Sequence, residues 1–203
     1  MFDEEAVPVA DDGLDWLPLR RRLGVSAFGT NAFRARSAGQ PVVEDHVESP
    51  GQEELYLVVR GRAQFRVDDE EIEVGVGAAV FVPDPESRRG AVALEDETVV
   101  MAVGGWAGRA YRSLPWEPIY LARPHMRRGD WEAAAKTLRG EAGEHLDTGV
   151  VRFRLACCYA QAGDLDLARE ELRRAVEASP SISERAASDE LLAPLRESGD
   201  WPL

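Results

Sequence analysis

From about Ser26 to Val103 the apolar residues come in short runs parted by turn-forming residues roughly every 8 to 12 positions, which predicts an all-β sandwich or barrel. Glu54-Leu55-Tyr56-Leu57-Val58-Val59 reads as a well-buried strand ending at Gly61. Ala63 to Val67 and Ile72 to Val74 alternate on either side of Asp68-Asp69-Glu70-Glu71, so two strands are expected to meet there in a polar hairpin. Ala78 to Val82 stops at Pro83-Asp84-Pro85, and Thr98 to Val103 makes a last strand after the acidic turn Glu95-Asp96-Glu97. Gly75-x-Gly77 marks a turn at a strand boundary. The aromatics Phe28, Phe33, Tyr56, Phe65 and Phe81 are expected to pack within this half.

After Pro118 the period becomes helical and the chain repeats itself. Gly129-Asp130-Trp131-Glu132-Ala133-Ala134 returns as Gly163-Asp164-Leu165-Asp166-Leu167-Ala168, at an offset of 34 residues, and Leu138 matches Leu172. In the second copy Leu155, Ala156 and Tyr159 are followed by Ala168, Leu172, Ala175 and Pro180. Small Ala156, Ala168 and Ala175 let helices approach closely, Tyr159 and Leu172 fill the gap, and Gly163-Asp164 supplies a turn and an N-cap. This spacing and these residues resemble the tetratricopeptide repeat. The first copy is degraded: His125 stands in place of Tyr159, Glu141 in place of Ala175, and Pro124 is expected to kink or shorten its helix. A closing helix is expected from Ser183 to Ser198, with Leu191, Leu192 and Leu195 covering the last apolar face. Two repeats and a cap are at the lower limit for an array, so the helices are expected to lean on the β half or on a second subunit.

Between the halves, residues 104 to 118 mix Gly and Pro with Trp106, Tyr111 and Trp116. Three aromatics in so short a stretch point to packing, not to a loose tether. The expected organisation is an N-terminal arm over 1–23, a β barrel over 24–105, an aromatic linker over 106–117 and helices over 118–203, an α+β chain of several domains. A length of 203 residues accommodates this.

Charge narrows the partners. With 24 basic against 37 acidic residues the chain carries a formal −13, which repels nucleic-acid backbones and anionic membranes. No apolar run approaches a membrane span, and Met1-Phe2-Asp3-Glu4-Glu5 is acidic where a signal peptide is basic, so a soluble, cytoplasmic protein is expected. Cys157 and Cys158, adjacent within a helical pattern, read as core thiols in a reducing compartment.

Gly39, His46, Glu48, Glu54 and Gly61, followed by Gly77 and Pro83, resemble the two sequence motifs of the cupin family. The resemblance implies a double-stranded β-helix, or jelly roll, over roughly 24–105, and a homodimer formed barrel to barrel. The arm around Trp16, Leu17 and Leu19 would either join that dimer or cover its own barrel. Metal-binding cupins supply three histidines and a glutamate. Here the second histidine position reads Glu48, the last reads Arg88, and Pro85 replaces a glycine between Pro83 and that position.

His46 and Glu48, two apart on an expected strand, face one side, and the resemblance brings in Glu54 from the next strand. Glu54 is preferred to Glu53 by its spacing to Gly61 and its shared parity with Tyr56 and Val58. One imidazole and two carboxylates can hold Mn, Fe, Ni or Zn, although facial iron sites use two histidines. The other histidines, His125 and His145, lie in the helical half. A charge on Arg88 about 5 Å from a cation would cost roughly 3 kcal/mol per unit of ion charge, about a hundredfold in affinity, so Arg88 is expected to pair with Glu54 or Glu48. The candidate pocket is therefore His46, Glu48, Glu54, Tyr56 and Arg88. No nucleophile or phosphate-loop motif is present. The sequence leaves two functions open: a non-catalytic small-molecule module, with an anion as one candidate ligand, joined to repeats that contact a protein or a second subunit; or a metal-dependent isomerase or oxygenase using His46, Glu48 and Glu54. The first is favoured, because the helical repeats resemble interaction scaffolds more than catalysts.

Overall fold

The computed structural model describes residues 6–9 and 13–202; the acidic start at 1–5 lies outside the described residues. The chain divides into two compact units, with the boundary between Ser113 and Leu114.

The first unit holds β1 (Val7–Pro8), β2 (Leu14–Leu17), a short α1 (Leu19–Leu23), β3 (Gly29–Ala35), β4 (Pro41–His46), β5 (Gln52–Arg60), β6 (Arg62–Val67), β7 (Glu70–Gly75), β8 (Ala79–Val82), β9 (Arg89–Ala93) and β10 (Thr98–Trp106). They form a six-stranded sheet in the order β1-β2-β3-β10-β5-β8 and a four-stranded sheet in the order β4-β9-β6-β7. Every pairing is antiparallel. Alternate residues of both sheets, among them Val42, Tyr56, Val58, Phe65, Val80, Ala91 and Val100, interlock in one buried cluster, the core of a two-sheet sandwich. The polar hairpin expected after Val67 is present, with the register Phe65 to Ile72 and Val67 to Glu70. Gly61, between β5 and β6, has φ of +73°, and a Cβ there would run into Thr98, so the tight reversal accepts only glycine.

On the opposite face of the six-stranded sheet, Leu17, Leu19, Ala32 and Val99 form a second buried cluster. Residues 14–17 thus extend their own sheet, with Trp16 and Leu17 buried. Two aromatics depart from the expected packing. Phe28, in the bend before β3, and Phe81 are exposed (44% and 56%), and Phe81 shares the outward parity of Ala79 on the edge strand β8. The stretch after β10 folds back on this unit: the Tyr111 ring lies 5.9 Å from that of Trp106 and 5.3 Å from the Arg20 guanidinium, and a Cβ on Gly29 would strike it.

The second unit contains α2 (Trp116–Arg127), α3 (Trp131–Ala142), α4 (Gly149–Ala162), α5 (Leu165–Ala178), α6 (Ile182–Ser188) and α7 (Ala193–Glu197), with 3₁₀ turns at Gly143–His145 and Glu190–Leu192. Asp130 and Asp164 cap α3 and α5 identically, accepting from the backbone N–H of Ala133 and Leu167. α4 is the centre of the unit. Its Phe153, Ala156, Cys157 and Ala160 pack with α5 and the closing helices, while Val151, Leu155 and Cys158 pack with α2 and α3, so it is apolar on both sides. Both thiols are free, and burial pushes each up to about 12. Glu171 on α5, buried, accepts from Arg139 of α3 at 2.8 Å and from Arg152 of α4 at 2.7 Å.

Pro124 sits inside α2 without shortening it, since the helix has only three residues left to run and is held by buried Ile119 and Ala122. The single closing helix expected over 183–198 is instead two short ones. Asp189 turns its side chain onto the N–H of Leu191 and restarts the chain, and Leu192 and Leu195 are then buried. No helix among the described residues is long and apolar enough to cross a membrane.

Candidate functional site

His46 ends β4, and its Nδ1–H donates to the Glu44 carbonyl at 2.7 Å, which fixes the ring and turns Nε2 toward the interior of the sandwich. Nε2 lies 3.3 Å from Glu48 Oε1, 3.7 Å from Glu54 Oε2 and 3.4 Å from the Tyr56 hydroxyl. Glu54 and Tyr56, two apart on β5, point to the same face, and the Tyr56 hydroxyl donates to Glu54 Oε2. Glu53 faces outward and is exposed. Glu48 is not on a strand. It occupies the loop after β4, where its N–H donates to the Pro85 carbonyl at 2.9 Å. That bond ties the β4–β5 loop to the β8–β9 loop and brings the Glu48 carboxylate, 12% exposed, back over His46.

The charges support one another. Burial disfavours the imidazolium of His46, but the Glu48 and Glu54 carboxylates and the Glu44 carbonyl outweigh it and hold the ring's pKa at about 10. Burial likewise opposes the charge on Glu48, yet His46 and the Ser49 N–H hold its pKa below the usual carboxylate range. The Tyr56 phenol is pushed well above its ordinary value by burial and by the Glu54 charge, so it stays a proton donor.

Arg88 does not join this group. Its side chain is 56% exposed and pairs with Asp45 at 2.9 Å, and its N–H donates to Asp68 Oδ1 at 2.7 Å. The expected pairing with Glu54 or Glu48 is therefore absent, and the positive charge nearest a bound cation would be that of Arg89, not Arg88. Arg89 takes the inward position instead. It is fully buried and opposes His46 in the β4–β9 register. Its Nη1 and Nη2 donate to the Pro85 and Asp84 carbonyls at 3.1 and 3.2 Å. The sequence held a signal for this: Arg89 shares the parity of Ala91 and Ala93, the buried side of β9, whereas Arg88 shares that of exposed Val92.

One ligand atom each from His46, Glu48 and Glu54 lies within 4.8 Å of the others. Ions with ligand bonds of about 2.1 Å set neighbouring donors about 3 Å apart, close to the 3.3 and 3.7 Å found from Nε2 to the two carboxylates. One nitrogen and two oxygens suit a divalent ion of intermediate hardness, and the Nδ1–H bond to Glu44 supplies the outer-shell contact that aims a ligating imidazole. The residues present thus fit such an ion.

No family model and no curated protein matches the chain. Among solved structures it is similar to KdgF from Halomonas sp., at 17% identity over 56% of this chain and 92% of that one, with a TM-score of 0.42. A cupin protein from Bacteroides fragilis is similar at 22% identity over 56% of this chain and 93% of that one, TM-score 0.40. A sugar phosphate isomerase of the cupin superfamily from Silicibacter pomeroyi is similar at 21% identity over 51% of this chain and 68% of that one, TM-score 0.41.

Proposed function

We propose that the first unit is a cupin-type, metal-dependent small-molecule binding module, with Mn, Fe, Ni or Zn held by His46, Glu48 and Glu54, and that the helical unit is a short tetratricopeptide-like region for protein contact. The observation that carries the metal reading is the convergence of three donor atoms within 4.8 Å around an imidazole whose other nitrogen is already committed. Tyr56 holds Glu54 in place by its hydroxyl and keeps that carboxylate aimed at His46. For the helical unit the support is the matched caps at Asp130 and Asp164 and a central helix packed on both sides. Metal analysis of the purified protein, with His46→Ala and Glu54→Gln alongside, tests the site. Near-stoichiometric ion in the parent and its loss in both variants is the expected result; a parent that retains no ion after incubation with each of the four metals would sink the reading.

A further inference from the structure

We propose that the pocket, once it holds a divalent ion, takes a small carboxylate monoanion with Arg89 as its counter-charge, so that ion and anion bind cooperatively. This rests on His46, Glu48 and Glu54 holding a metal. Arg89 is fully buried, yet its two bonds go to backbone carbonyls, and among the described residues it forms no ion pair. Its Nε–H is buried with no hydrogen-bond partner. Leaving a buried cation unpaired is costly, so an unused donor on one marks a place where an acceptor is missing.

The position is specific. Arg89 and His46 oppose each other across β4 and β9, so both side chains leave the same face of the sheet. On that same interior side the Tyr56 hydroxyl touches both Glu54 and His46. The charge count then selects the ligand. Two carboxylates cancel a divalent ion, a ligating imidazole is neutral, and the guanidinium leaves the loaded pocket with one positive charge in excess. A monoanion removes that excess, and a carboxylate offers one oxygen to the ion and a second to the free Nε–H. Binding of either partner must then strengthen the other by the same factor.

The test is calorimetric titration of Mn²⁺ into the full-length protein with and without acetate at constant ionic strength, with neutral, similarly shaped acetamide as control. Acetate is expected to tighten Mn²⁺ binding about tenfold, within the range usual for coupled sites, and acetamide to leave it unchanged. Arg89→Gln is expected to bind Mn²⁺ at least as well as the parent without acetate and to lose the acetate effect; Arg89→Lys, which keeps the charge, should retain it. Mn²⁺ affinity indifferent to acetate, or an acetate effect that survives in a folded Arg89→Gln, overturns the proposal while leaving the metal reading intact. If near-UV circular dichroism shows Arg89→Gln unfolded, the parent's acetate and acetamide titrations decide. Absence of Mn²⁺ binding under every condition overturns the coupling proposed here, while the metal reading falls only if Fe, Ni and Zn fail to bind as well.

Discussion

Replacing Glu171 by Ala is the sharpest test of how the helical unit is held together. The Glu171 side chain is 2% exposed and accepts from two guanidinium groups. These are unequal. Arg139, 44% exposed, is screened by solvent and can fall back on the Tyr159 hydroxyl, to which it already donates at 2.6 Å, so its share is below about 1 kcal/mol. Arg152, 8% exposed, has among the described residues only Asp147 besides, and that carboxylate is 88% exposed. Removing one partner of a buried pair costs about 3 to 5 kcal/mol, and the remaining Asp147 bond places the expected loss near the lower end, about 3 kcal/mol. Glu171→Gln keeps an acceptor and should lose about 1.5 to 2 kcal/mol, the scale of a hydrogen bond to a charged group. The double change Glu171→Leu with Arg152→Met removes both charges and should return to within about 1 kcal/mol of the parent. Urea unfolding followed by far-UV circular dichroism reads all three. A Glu171→Ala protein within about 1 kcal/mol of the parent would show that Arg152 is satisfied without it and would refute the assignment of Glu171 as its essential partner.

Two further outcomes are expected. In the presence of a chelator, the stability that His46 contributes should be complete below about pH 6.5 and fade as pH rises through about 10, because its pKa is raised on folding; the Glu48 contribution, from a lowered pKa, should be present above about pH 4.5 and fade as pH falls further. The difference in urea midpoint between parent and His46→Gln should shrink accordingly toward high pH, and a difference that stays constant into strongly alkaline buffer would contradict it. The homodimer proposed through the first unit would use the outward cross-strand pair Leu55 and Phe81 at the edge of the six-stranded sheet. Light scattering should give a dimer for the parent and a monomer for Phe81→Glu; a parent that is monomeric at high micromolar concentration defeats the proposal.

Strand positions were legible because alternation and turn residues are local signals. β5, β6 and β7 fall within two residues of the segments their apolar patterns mark. The repeated caps were legible too, because Gly-Asp before an apolar period is a self-contained start signal. What failed depended on register and on distant partners. Pro83-Asp84-Pro85 makes an irregular loop, and counting across it from a motif placed the inward arginine one residue early, whereas the parity of β9 itself marks Arg89. Glu48 reaches the site from a loop, through a backbone bond to Pro85 that no strand pattern encodes. Glu171 shares a face with Ala168, Leu172 and Ala175, and its burial follows from arginines on two other helices that proximity along the chain cannot reveal.

The Tyr111 ring covering Gly29 sets where the first unit can be severed from the helices. The strand pattern ends at Val103, but a chain cut there would uncover the close-packed backbone of β3 and discard the aromatic pair Trp106 and Tyr111 along with it. The compact first unit extends to Ser113, so limited proteolysis is expected to cut near the Ser113-Leu114 junction, ten residues beyond the point where alternation falls silent.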